Sequence, residues 1–218
     1  MASYASPFLV RGKDIGQHGA TYLSGLLGQQ NRKNLERIEA DIPQSNYQRM
    51  QQMISNSPWN EGMLMDQVAR EAQDLLGGHR DAGLYLDESG LPKKGMRSVG
   101  VQRQYCGRLG KTENCQVGVF ACLGRGERAT LVGFKLFLPE AWAQDAERCE
   151  RAGIPEGQRE HRTKTELAME LVKAARARGS NHQWIGADSA YGNNQEFCAE
   201  LEDMGETFVM DVVGTTKV

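Results

Sequence analysis

Two aspartates in this chain follow short apolar runs. Asp87 closes AGLYLD, residues 82–87, and Asp188 closes the run 183–188 inside HQWIGAD. Strands whose C-terminal ends lie side by side in a sheet would bring the two carboxylates together. Adjacent carboxylates repel unless a cation lies between them, and hard oxygen ligands select Mg²⁺ or Mn²⁺. Two such ions, roughly 3.5–4 Å apart, activate a water or a 3′-hydroxyl and stabilise the leaving oxygen in phosphodiester chemistry. Aspartate after a strand is also a common turn former and helix N-cap, and Asp188 stands just before an expected helix. Spacing alone leaves both roles open.

A second feature lies next to the first aspartate. Between residues 89 and 112 stand Lys93, Lys94, Arg97, Arg103, Arg108 and Lys111, with no acid among them. Unopposed positive charge of this kind is what a phosphate backbone would meet. A solvated loop and hairpin face would carry the same residues, so charge alone does not decide. The formal net charge of the chain is −2, which does not by itself announce a nucleic-acid binder.

The elements that must position these residues fall into two parts. Residues 15–76 read as three helices. Leu23, Leu26, Leu27, Leu35 and Ile38 recur at helical spacing, and Pro43 breaks that helix or opens the next. Tyr47, Met50, Met53 and Ile54 continue a second, closed by Ser57-Pro58. Met63, Met65, Val68, Ala72, Leu75 and Leu76 make a third, closed by Gly77-Gly78. A bundle of this size is a common scaffold and also the size of a helical DNA-binding module. Residues 1–80 hold eight acids and eight bases, so charge gives no support for groove binding.

After Gly78 the pattern changes. Strands are expected at 82–87, 114–123 and 129–138, with 99–106 a further extended piece, and the last two strands form a hairpin across Gly124-Arg125-Gly126. Thr163 and Glu166 form a capping-box pattern that opens a helix running to Gly179. A strand at 183–188, a helix at about 194–204 and a strand at 207–213 complete the order. Three strands without intervening helices predict antiparallel pairing, and strands joined through helices predict parallel pairing. The expected fold is α/β: a mixed five-stranded sheet flanked by helices, preceded by a small helical domain. The expected domains are 1–78 and 79–218.

Composition narrows the class. The chain has 218 residues, 39% apolar and 25% charged, as in a globular protein rather than a disordered one. No apolar run approaches the roughly 20 residues needed to span a bilayer. The N-terminus lacks a basic start followed by an apolar stretch, so a cytoplasmic location is expected. The five cysteines include no CxxC pair and the four histidines no HxxxH or HExxH pair, which argues against a disulfide framework or a zinc site. The Gly124-to-Gly126 turn lacks the strand–GxGxxG–helix context of a nucleotide loop.

Residues 86–119, LDESGLPKKGMRSVGVQRQYCGRLGKTENCQVGV, resemble the first catalytic block of DDE-type insertion-sequence transposases. The shared pattern is an acid, a small hydroxyl residue, Gly-x-Pro-Lys-Lys-Gly, then Ser-Val-Gly-Val, Gln-Tyr and Asn-Cys-Gln-Val. LFLPEAW at 136–142, RAGIP at 151–155, RTKTELAMELV at 162–172 and GADSAYGNNQEF at 186–197 follow in family order. The resemblance covers roughly residues 20 to 213.

The resemblance implies an RNase H-like catalytic domain and a DNA transposase. Its substrate is double-stranded DNA (transposon ends and target), cut and joined with the help of Mg²⁺ or Mn²⁺. Asp87 and Asp188 match the first two catalytic, metal-binding aspartates. Glu88 stands where the family often has a second acid; it is expected to be secondary, because its side chain points to the other face of the strand. Lys93 and Lys94 are candidates for holding phosphate near the metals, with Arg97, Arg103 and Lys111 as further DNA contacts. Ser89 and Ser189 either bond the aspartates or cap turns, and Tyr191 either stacks near DNA or packs. Paired-end synapsis in the family raises a homodimer as an expectation. The family's third acid, a glutamate on a helix beyond the last strand, has no counterpart here. The expectation is a fragment, a truncated gene, or a remainder on another polypeptide. The alternative to an active transposase is a truncated relative that binds DNA or a complete transposase as a regulatory or assembly module and does no chemistry.

Overall fold

The computed structural model describes residues 4–28 and 33–214. They form two compact units, divided between Gln67 and Val68.

The first unit opens on a two-residue hairpin, β1 (Leu9–Val10) against β2 (Lys13–Asp14), turned by Arg11 and Gly12 at φ 48° and 76°. Three helices follow: α1 (Gly16–Leu27), α2 (Leu35–Asp41) and α3 (Tyr47–Ser55). A fourth, α4 (Glu61–Leu76), crosses the boundary between the units. The first helix expected from sequence is thus two helices, α1 stopping at Gly28 and α2 opening at Asn34, whose side chain accepts from the Arg37 amide. Residues 29–32, which the expected helix crosses, lie outside the described residues. Ile38, Met50 and Met53 form the small buried centre. Gly25 is required there, because a Cβ would come within 2.4 Å of Ile38.

The second unit is a mixed sheet. Its strands are β3 (Ala82–Pro92), β4 (Gln102–Cys106), β5 (Lys111–Arg125), β6 (Arg128–Leu136), β7 (Trp184–Ala187) and β8 (Phe208–Met210). β5 is long enough to pair β4 with its first residues and β6 with its last, along one edge, while β3 occupies the other. The expected five strands are therefore six. Five of them, in the order β6-β5-β3-β7-β8, make the central sheet, and β4 extends it. The β3, β4, β5 and β6 pairings are antiparallel, and β3-β7-β8 are parallel. This is an RNase H-like architecture.

The parallel strands need crossovers, and helices supply them. α5 (Glu140–Ala143), α6 (Ala146–Arg151) and α7 (Lys164–Ala177) lie between β6 and β7, and α8 (Ser189–Gly192) and α9 (Gln195–Asp203) between β7 and β8. The capping box at Thr163 is present: its hydroxyl accepts the Glu166 amide at 3.2 Å, and the Glu166 carboxylate accepts the Thr163 amide at 2.6 Å.

Alternation along the strands separates two faces. Leu84, Leu86, Val119, Ala121, Leu123 and Ile185 share a buried core with α7 and α9 residues such as Leu171, Val172 and Leu201. Tyr85, Phe120, Phe134, Trp184 and Val209 project from the opposite face, where Phe134 is 49% and Val209 66% exposed. Tyr85 and Trp184 meet edge to face at 5.1 Å.

Candidate active site

β3 does not end at Asp87, as the apolar run suggested; it continues to Pro92, paired with β5 throughout. Asp87 is therefore mid-strand, on the face of Tyr85 and opposite Phe120. β7 does end just before its aspartate. The parallel register runs from Gly83↔Trp184 to Leu86↔Ala187. Asp87 and Asp188 are the residues that directly follow the last registered pair, Leu86 and Ala187, on these neighbouring strands.

The two carboxylates are held differently. Asp188 leaves β7 and caps α8, its Oδ1 accepting the Ala190 amide at 2.9 Å. Its N-cap role and its place in the pair coexist. Asp87 Oδ1 accepts the Glu88 amide at 2.7 Å. Both aspartates are exposed, so oxygens remain free for a cation.

Glu88 alternates onto the core-side face and forms an ion pair with Lys164, in the first turn of α7. Tyr191, on α8, belongs to the buried core at 1% exposure, its ring 5.7 Å from Phe197. Its role is packing, and it is too buried to stack on DNA. Burial pushes its hydroxyl well above the ordinary tyrosine range, and the charges of Glu88, Asp87 and Asp188 push it further. It stays protonated among three carboxylates, and its buried hydroxyl has no hydrogen-bond partner among the described residues.

The donor set fits a hard divalent cation. Mg²⁺ typically takes one or two carboxylates and completes its shell with waters and substrate phosphate oxygens. Among the described residues no group of three His, Cys, Asp or Glu side chains is arranged to hold a metal ion.

The basic residues separate in space. Lys93, Lys94 and Arg97 lie on the segment joining β3 to β4, with Lys94 and Arg97 exposed and Lys93 half-buried. Lys93 is six residues beyond Asp87, roughly 20 Å along an extended strand. Arg103, on β4, pairs with Asn114 and shares the face of Asp87. Lys111 falls on the other face and is neutralised by Glu113 at 3.3 Å. The Asn114 amide and then Lys111 hold the Glu113 carboxyl below its usual range.

The structure adds Lys164, which the sequence reading passed over. Its only sequence signal was the capping box, which placed it at a helix start; its contact with Glu88 spans 76 residues of chain. All five cysteines are free. Burial and the neighbouring Cys106 push the Cys115 thiol up to about 11. No helix among the described residues is long and apolar enough to cross a membrane.

The model for the DDE superfamily endonucleases matches residues 11–218. The chain is also 28% identical over 194 residues to the probable transposase for insertion sequence element IS701 of Microchaete diplosiphon. That alignment covers 86% of this chain and 46% of the relative, so the chain spans about half the length of the curated relative it matches. With a mixed sheet of RNase H-like architecture and a family match over nearly its whole length, this chain belongs to the DDE superfamily of endonucleases.

Proposed function

We propose that this chain carries the two-aspartate part of a DNA transposase site, in which Asp87 and Asp188 jointly hold Mg²⁺ or Mn²⁺ against a DNA phosphate. The observation that supports this reading is the β3–β7 register, whose last pair, Leu86 and Ala187, directly precedes the two aspartates in a chain of the DDE family. When bound, the metal supplies activation of water or a 3′-hydroxyl and neutralises charge on the leaving oxygen. The chain's own residues do the rest. The sheet fixes the two carboxylates, and α8 fixes the rotation of Asp188. Lys93, Lys94, Arg97 and Arg103 give the duplex a cationic track, and Lys111 lies off it. The substrates are transposon ends and target DNA, and a second copy of the chain would serve the second end. The helical first unit is proposed to share in binding DNA.

The test is metal-dependent cleavage of labelled transposon-end DNA. Nicking in Mn²⁺ that disappears in Asp87→Ala and Asp188→Ala supports the reading. A second reading draws on the finding that, among the described residues, no group of three His, Cys, Asp or Glu side chains is arranged to hold a metal ion. In it, the chain binds DNA or a complete transposase and does not cut. Tight DNA binding with no nicking at any metal concentration selects this second reading.

A further inference from the structure

The segment 93–101 between β3 and β4 has no regular secondary structure, yet side chains from elsewhere fasten it along its length. Asn114 donates from Nδ2 to the carbonyls of Lys93 at 2.7 Å and Gly95 at 3.1 Å. Gln116 donates from Nε2 to the Val99 carbonyl at 2.6 Å. Arg148, stacked 3.8 Å over the Trp142 ring, reaches the carbonyls of Met96 at 3.2 Å and Val101 at 3.3 Å. Gly100 lets the segment turn at φ +71°, where a Cβ would lie 2.6 Å from the Phe137 carbonyl oxygen.

Asn114 and Gln116 lie on the face of β5 that carries Asp87's partner Phe120, so they hold the segment on the side of the sheet that carries Asp87. These contacts are backbone-directed and leave the side chains of Lys94 and Arg97 exposed.

We propose that Asn114, Gln116 and Arg148 are positioning residues that preform segment 93–101 as a clamp for the phosphates of duplex DNA. The clamp lies roughly 20 Å from the carboxylate pair, about six base pairs along a duplex axis. The inference rests on reading Lys94 and Arg97 as DNA contacts. An irregular segment ordered in the free protein incurs its ordering cost on folding rather than on binding.

The test is a double-mutant cycle on the full chain, read by fluorescence anisotropy with a duplex several helical turns long. Lys94→Ala/Arg97→Ala should weaken binding and lower the slope of log affinity against log salt by about 1.8, two phosphate contacts' worth. Asn114→Ala removes no charge, yet it should weaken binding about tenfold and lower the same slope. In the Lys94→Ala/Arg97→Ala background it should change affinity by less than about twofold, because its effect passes through those cations. Arg148→Lys keeps the charge and loses the planar fork; it and Gln116→Ala should repeat the pattern more mildly, and they serve if Asn114→Ala does not fold. Equal losses from Asn114→Ala in both backgrounds, or no loss in either, would overturn the inference and leave the DNA contacts standing. No change in affinity or slope for Lys94→Ala/Arg97→Ala would instead remove the DNA-contact reading, and the inference with it.

Discussion

Asp87 and Asp188 each stand one residue past the Leu86↔Ala187 pair that ends the parallel β3–β7 register. One comes from the middle of a long strand and the other from the capping position of a short helix. The pair therefore combines a rigid member with one whose orientation depends on a hydrogen bond to Ala190.

Asp188→Asn separates the two roles of that residue. Asparagine caps helices about as well as aspartate, so the melting temperature should hold while divalent-metal affinity falls at least tenfold. Asp188→Ala should lose metal affinity and also about 1 kcal/mol of stability. Thermal melting and calorimetry on the two variants check this. Equal metal affinity in Asp188→Asn and wild type would leave Asp188 as a cap alone.

Glu88→Gln should leave metal binding nearly unchanged. The carboxylate faces Lys164 across a partly exposed ion pair, and such a pair contributes at most about 1 kcal/mol. A metal affinity lost as completely as in Asp87→Ala would make Glu88 a ligand instead.

Thr163→Ala removes the hydroxyl half of the capping box at the start of α7. A loss of about 1 kcal/mol in denaturant unfolding is expected. Metal binding should persist, because the cap does not touch either aspartate.

His182 gives the fold a pH dependence. Burial lowers its pKa below the ordinary value of 6.5, opposed by the nearby Glu206 carboxylate. A histidine held neutral on folding contributes stability that is fully present above the unfolded-state pKa and lost as pH falls through the folded value. Stability should therefore decline as the pH drops below about 6.5, and His182→Gln should flatten that decline. An unchanged pH profile in His182→Gln would refute the assignment.

Much of this was legible in the sequence, for identifiable reasons. Alternation and capping chemistry are local, so the strands, Thr163 and the two aspartates could be found residue by residue. The extension of β3 to Pro92 was not legible, because Ser89, Gly90 and Pro92 read as a turn; pairing with β5 overrides their local preference. β5 was expected to start at 114, and its three earlier residues are held by β4. The split between α1 and α2 was hidden because Leu27 and Leu35 keep helical spacing across the break. The Glu88–Lys164 pair and the anchoring of segment 93–101 by Arg148 are long-range contacts with no periodic trace.

The most direct test of the central claim is a calorimetric titration of Mn²⁺ and Mg²⁺ into the chain, with and without duplex DNA, beside Asp87→Ala and Asp188→Ala. The account predicts saturable binding, strengthened by DNA phosphate oxygens and abolished by either substitution. Binding that survives both substitutions, or no binding even with DNA, would contradict the assignment of these two aspartates to a shared metal site.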